Sequence, residues 1–228
     1  MSIGGKALRR TRPVVLQSFD VHIICFEEGI GFMETDFEER YRTNDTPWDH
    51  GTPDTNLIDM VAQGTISKCK ALDIGCGTGD NAIWLAQQHF VATGCDISQT
   101  AIEKAKEKAA MSNVGCSFIV ADFLNDRVPG APFGLVIDRG CLHCVDTAEE
   151  RRRFAENVAS HLEEGGLWLS LAGNADGQVR EVGPPTLTAV ELVDAVEPYC
   201  EILSLAAGYF GSDQPEPPKA WVCLMRKR

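Results

Sequence analysis

Positive charge is in short supply in this chain of 228 residues: 21 Lys and Arg stand against 33 Asp and Glu, a formal net charge of −12. Neutralising nucleic-acid phosphates needs clustered cations. The basic clusters present, at Arg9, Arg10 and Arg12, at Arg151 to Arg153 and at Arg226 to Arg228, are short and read as solvated faces and tails. A nucleic-acid partner is disfavoured. A membrane-crossing run is lacking too. The longest apolar stretch near the N-terminus, VHIICF after Asp20, falls far below the roughly 20 residues that span a bilayer. No signal-peptide pattern opens the sequence. Nor do the cysteines make a frame: nine is an odd number, and Cys25 and Cys223 sit inside apolar runs. Small secreted disulfide scaffolds carry even, spaced sets. Repeats and long low-complexity tracts are absent. The expectation is a cytoplasmic protein with neither nucleic-acid nor membrane partner.

What is present from Lys70 onward is an alternation of short apolar runs with amphipathic stretches, the pattern of an α/β fold. The expected strands are 70–74, 90–96, 116–121, 133–138, 166–172, 200–208 and 219–226. Three Thr-x-x-Glu capping boxes start the intervening helices: Thr100 with Glu103, Thr147 with Glu150, and Thr188 with Glu191. Leu187 and Leu192 stand as a hydrophobic staple around the third box, and Gly165 with Gly166 supplies a stop for the second helix. The last two strands are joined by the proline-rich GSDQPEPPKA, with no helical pattern. Strands joined without a crossover helix pair antiparallel, so one strand of a mostly parallel sheet is reversed. Residues 1–32 have no clear periodicity and form an N-terminal extension; METDFEERYRTND from Met33 reads as the first helix of a domain over 33–228.

The segment ALDIGCGTGDNAIWLA runs from an apolar strand ending in Asp73, through Gly75, Cys76, Gly77, Thr78 and Gly79, into a helix. Glycines let the backbone turn tightly and approach a ligand, and the helix N-terminus adds free N–H groups. The dinucleotide fingerprint counted from Gly75 wants a third glycine at position 80, where this chain has Asp80. Acidic residues beside the loop repel a pyrophosphate and suit a ligand with an ammonium or sulfonium group. Later strands also end in acids: Asp96, followed by Ile97; Asp122, followed by Phe123; and Asp138. A carboxylate at Asp96 suits a ribose, and ligands of open α/β sheets bind at these strand ends. Each Asp taken singly is also a candidate helix N-cap.

LDIGCGTG (72–79), the Asp96 of GCDIS, the triplet ADF (121–123) and VIDRG (136–140) resemble the class I S-adenosylmethionine-dependent methyltransferases. The resemblance runs from about residue 34 to the C-terminus. It implies a Rossmann-like seven-stranded sheet of order 3-2-1-4-5-7-6, strand 7 antiparallel, with helices on both faces. It implies S-adenosyl-L-methionine as cofactor, with its methionine part on the glycine loop (Asp73, Gly75, Cys76, Gly77, Thr78, Gly79), its ribose on Asp96, and its adenine flanked by Ile97, Asp122 and Phe123. Asp138 joins this cofactor set.

TPWDHGTPDTNLIDM (46–60) and DRGCLH (138–143) resemble the thiopurine, thiol and tellurite branch. By that resemblance Trp48 covers the methyl end and Arg139 faces a small anionic or polarisable acceptor. Trp48 also reads as packing against Pro47 and Pro53, and Arg139 as a partner of a carboxylate such as Asp146. His143 is a candidate base or acceptor-orienting group, since its pKa lies near neutrality, and equally a structural histidine. CLHC (141–144) lacks a second cysteine pair for zinc; no metal is expected. Other readings are a small-molecule O- or N-methyltransferase, a nicotinamide-dependent oxidoreductase, and a non-catalytic cofactor-binding protein. The oligomeric state is left open.

Overall fold

A computed structural model describes residues 32–176, 186–211 and 216–228. Nearly all of the extension assigned to residues 1–32 lies outside the described residues. In chain order the elements are α1 (Phe32–Thr43), α2 (Thr55–Ala62), β1 (Lys70–Ile74), α3 (Asp80–Gln87), β2 (Val91–Asp96), α4 (Gln99–Met111), β3 (Ser117–Val120), β4 (Phe133–Arg139), α5 (Ala148–His161), β5 (Leu162–Gly173), α6 (Ala189–Val196), β6 (Cys200–Tyr209) and β7 (Lys219–Lys227). A single 3-10 turn, Leu142–Cys144, follows β4. Among the described residues no helix is long and apolar enough to cross a membrane.

The seven strands form one sheet of order β3-β2-β1-β4-β5-β7-β6, in which β7 runs antiparallel to both neighbours. Alternation within each strand separates two cores. Leu72, Ile74 and Val136 face a cluster with Phe154 and Val158 of α5 and Leu192 of α6. Ala71, Leu135 and Ile137 face another with Leu57 of α2 and Leu85 of α3. Such strands, apolar on both faces, are the mark of a covered parallel sheet.

Two of the three expected capping boxes form. Thr147 and Thr188 each accept the N–H of the Glu three residues on, and Glu150 and Glu191 reach back to the cap backbone. Leu187 and Leu192 are buried in one cluster, as a staple requires. The box at Thr100 does not form. Ser98 caps α4 instead, accepting from Ala101 N–H at 3.0 Å, and Thr100 turns to Glu38 of α1. The glycine stop is also displaced: α5 ends at His161, and Leu162 already pairs with Phe133 as the first residue of β5.

Candidate active site

The loop between β1 and α3 carries left-handed glycines at 75, 77 and 79, with φ of 60°, 54° and 87°. A Cβ at Gly75 would lie 2.1 Å from Cys141 Sγ, and one at Gly77 would lie 2.5 Å from Tyr41 Oη. These contacts place the turn after β4 and helix α1 against the loop. Asp96, 7% exposed, binds it from below: Oδ2 accepts Gly77 N–H at 2.8 Å and Oδ1 accepts Ser98 N–H at 2.9 Å. Each oxygen keeps a lone pair for a ligand. Burial raises the pKa of Asp96. Asp73 is buried and its Oδ2 has no hydrogen-bond partner. Burial, with Asp96 and Asp80 adding to it, pushes its pKa up to about 8. A buried carboxylate oxygen without a donor fits a cationic ligand.

The other expected residues divide between this site and the fold. Thr78 is buried and accepts from Lys108 Nζ at 2.6 Å, while Asp80 pairs with the same ammonium at 2.8 Å, so its charge is compensated by the protein. The Cys76 thiol packs between α3, α4 and β3, 2.8 Å from where a Cβ at Gly94 would stand; only its backbone belongs to the loop. Ile97 is half-buried beside Asp96. Asp122 closes its own turn, accepting Leu124 N–H at 3.0 Å and the Asn125 amide.

Four expectations need correction. Phe123 is no adenine platform: its buried ring packs on Phe154 at 5.2 Å and beside His161. Asp138 is sealed in the core, with Oδ1 accepting the N–H groups of Cys141 and Leu142 and Oδ2 accepting Trp168 Nε1–H at 3.0 Å. It holds the turn after β4 in place of touching a cofactor. Arg139 is no free cation at the mouth. Its Nε donates to Asp54 Oδ2 at 2.9 Å, its terminal nitrogens donate to the carbonyls of Trp48 and Gly211, and it lies over the Phe210 ring. Its partner is Asp54, not Asp146. His143 is placed as a hydrogen-bond donor and not as a base. Its Nδ1 accepts Gly173 N–H at 2.8 Å, which leaves the neutral ring's proton on Nε2, and burial, aided by Arg139, lowers its pKa to about 4.

Three contributors, Asp54, Tyr41 and Glu38, were not singled out in the sequence. Asp54, with its side chain 0% exposed, caps α2 through Asn56 N–H and also accepts from Arg139 and Gly211 N–H. Tyr41 reaches the loop from α1, and Glu38 of the same helix bonds Ser98 and Thr100 at the start of α4; a Tyr and a Glu three apart on one helix were the only sequence signal. Trp48 donates from Nε1 to Tyr41 Oη at 2.9 Å, lies near Phe37, and carries Arg40 over its ring. It belongs to this aromatic cluster.

The sheet order, the glycine loop and the acidic strand ends together define an α/β protein that binds a nucleoside cofactor. The methyltransferase domain family matches residues 71–166. Probable thiol methyltransferase 2 of Arabidopsis thaliana is 30% identical over 162 residues, 70% of each chain. A 2-heptyl-1-hydroxyquinolin-4(1H)-one methyltransferase of Mycobacteroides abscessus is 29% identical, covering 67% of each. A solved structure described as "Conversion of a Disulfide Bond into a Thioacetal Group during Echinomycin Biosynthesis" superposes with a TM-score of 0.75 at 27% identity, covering 86% of this chain and 91% of that one. The chain belongs to the class I S-adenosyl-L-methionine-dependent methyltransferases. It is an enzyme, and S-adenosyl-L-methionine is its cofactor. The unpartnered Asp73 oxygen, under a loop that acids flank, fits that cationic group.

Proposed function

We propose that this enzyme methylates a small molecule at a thiol or another chalcogen atom that ionises without a protein base. The observation that carries this reading is His143, held as a neutral hydrogen-bond donor by the Gly173 N–H. A donor orients an anion; it does not make one. The names of two similar proteins, a probable thiol methyltransferase and an N-hydroxyquinolone methyltransferase, agree with acceptors that lose their proton readily.

The chain's own residues divide the work as follows. Asp96 receives the ribose hydroxyls on its free lone pairs, and Ile97 and Asp122 flank the adenine. Asp73 offers its unpartnered oxygen to the positive end, while the backbone of Gly75, Cys76, Gly77, Thr78 and Gly79 lets the ligand approach closely. When bound, S-adenosyl-L-methionine supplies an electrophilic methyl group on a sulfonium that is already a good leaving group. The protein's task is therefore alignment and exclusion of water. Trp48 and Tyr41 cover the loop, and Phe210 with Arg139 forms a wall beside His143.

The test is kcat/KM against pH for an aromatic thiol and an alkane thiol, followed by S-adenosylhomocysteine release. The inflection is expected to move with the acceptor's own pKa, by about two units or more between such thiols. An inflection fixed at one pH for both acceptors belongs to an enzyme base and overturns the reading. Activity confined to amines or alcohols overturns the acceptor class.

A further inference from the structure

Helix α1 precedes the glycine loop by more than thirty residues and carries no cofactor motif, yet it is pressed against that loop. Tyr41 is 4% exposed, and its Oη stands where a Cβ at Gly77 would come within 2.5 Å. The phenol oxygen accepts the Trp48 indole N–H. Among the described residues nothing accepts the phenol's own proton, so a buried O–H is left facing the loop. Buried donors are rarely left without an acceptor.

The position of α1 is held by a second set of contacts. The Glu38 carboxylate accepts from Ser98 Oγ at 2.5 Å, from Thr100 N–H at 3.2 Å and from the Thr100 hydroxyl. Those hydrogen bonds hold the Glu38 carboxyl below its usual pKa, so it stays charged. Ser98 is also the residue whose backbone N–H binds Asp96 Oδ1. From the other side, Lys104 of α4 donates to the Tyr41 carbonyl at 2.5 Å and to Asn44 at 2.8 Å. Glu38, Ser98, Asp96, Gly77 and Tyr41 thus form one continuous path between α1 and the floor of the loop.

The cofactor has a carboxylate of its own, and it enters a loop flanked by Asp73, Asp80 and Asp96. The cations around it are occupied: Lys108 by Asp80 and Thr78, Arg139 by Asp54, Lys104 by Tyr41 and Asn44, and Arg40 by Asp45 and the Trp48 ring. A neutral donor is what remains. We propose that the Tyr41 hydroxyl donates its proton to the amino-acid carboxylate of bound S-adenosyl-L-methionine, and that Glu38 is the positioning residue that fixes α1 so that it can. Burial, reinforced by Asp96, keeps the phenol protonated, and hence a donor, throughout the working pH range.

Two ligands separate this contact from simple packing. S-adenosylhomocysteine retains the amino-acid end, and 5′-methylthioadenosine has the same nucleoside without it. Calorimetric titration of the full chain is expected to give Tyr41→Phe a Kd for S-adenosylhomocysteine about ten- to a hundredfold higher, the range for a hydrogen bond to a charged group, with methylthioadenosine within about twofold of wild type. Glu38→Gln is expected to shift S-adenosylhomocysteine the same way by a smaller factor, with faster release in stopped-flow tryptophan fluorescence. Glu39→Gln, exposed on the same helix and paired only with Arg42, serves as the unchanged control. Tyr41→Phe keeps the ring that fills the space, so the fold is retained. Wild-type S-adenosylhomocysteine binding by Tyr41→Phe, or equal loss for both ligands, overturns the contact. Glu38→Gln indistinguishable from Glu39→Gln overturns the positioning role.

Discussion

Asp73 is the residue where burial and charge are in sharpest conflict. It is 2% exposed at the end of β1, one oxygen has no donor, and two further carboxylates act on it. Its pKa of about 8 lies well above the value near 4 of an unfolded aspartate. A raised folded-state pKa means that the native protein holds the proton more tightly. The resulting stabilisation is full below about pH 4 and is lost as pH rises through about 8. A cation bound beside Asp73 reverses the preference, so cofactor binding at about pH 7 should release a proton from this group. Titrations in buffers of different ionisation heat should show that release in wild type and not in Asp73→Asn. The ligand-free Asp73→Asn protein should also lose less stability than wild type between about pH 5 and 8.5. Equal proton release by both proteins would assign the titration to another group.

At the scale of elements, local rules sufficed wherever a local partner decided the outcome. The central strands β1, β4 and β5 stood out because parallel strands covered on both faces read as contiguous apolar runs. The boxes at Thr147 and Thr188 formed because both partners of each lie within one turn and no distant side chain draws either Thr away. At α4 the rule failed for a tertiary reason. Asp96 ends β2 and holds Ser98 N–H, which sets Ser98 as the cap, while Thr100 is drawn away by Glu38, 62 residues distant. Glu103 is left with only an exposed bond from Gln99. Ser98→Ala is therefore expected to cost about 1 kcal/mol or more in urea unfolding, and Glu103→Ala less than about 0.5 kcal/mol. Equal costs would return the cap to Thr100 and Glu103. The β5 boundary was misplaced because Leu162 pairs with Phe133 before the glycines, a contact that periodicity does not reveal.

At the scale of the whole molecule, legibility fell with the sequence distance between the groups that meet. The glycine loop and Asp96 lie within one βαβ unit and could be read directly. The clamp that joins Asp54, Arg139 and Gly211 has as its longest bond that from Gly211 N–H to Asp54 Oδ2, which spans 157 residues. Nothing local marks Asp54 as the partner of Arg139. The pair also explains why Arg139 does not act as a free cation. An Asp side chain with no exposure holds it in the site wall, with the carbonyls of Trp48 and Gly211 accepting from its other nitrogens. Removing one member of such a pair leaves the other charge buried without compensation. Asp54→Ala should then cost about 3 kcal/mol or more. It strands the guanidinium, uncaps α2 and frees the Gly211 N–H together. Arg139→Ala leaves Asp54 with the Asn56 and Gly211 donors and should cost less. If the two residues act as a pair, the double variant costs less than the sum by about 1 to 3 kcal/mol, read from urea unfolding of all four proteins. Strict additivity would mean that Asp54 stabilises the mouth through its backbone donors alone, with Arg139 held by the two carbonyls.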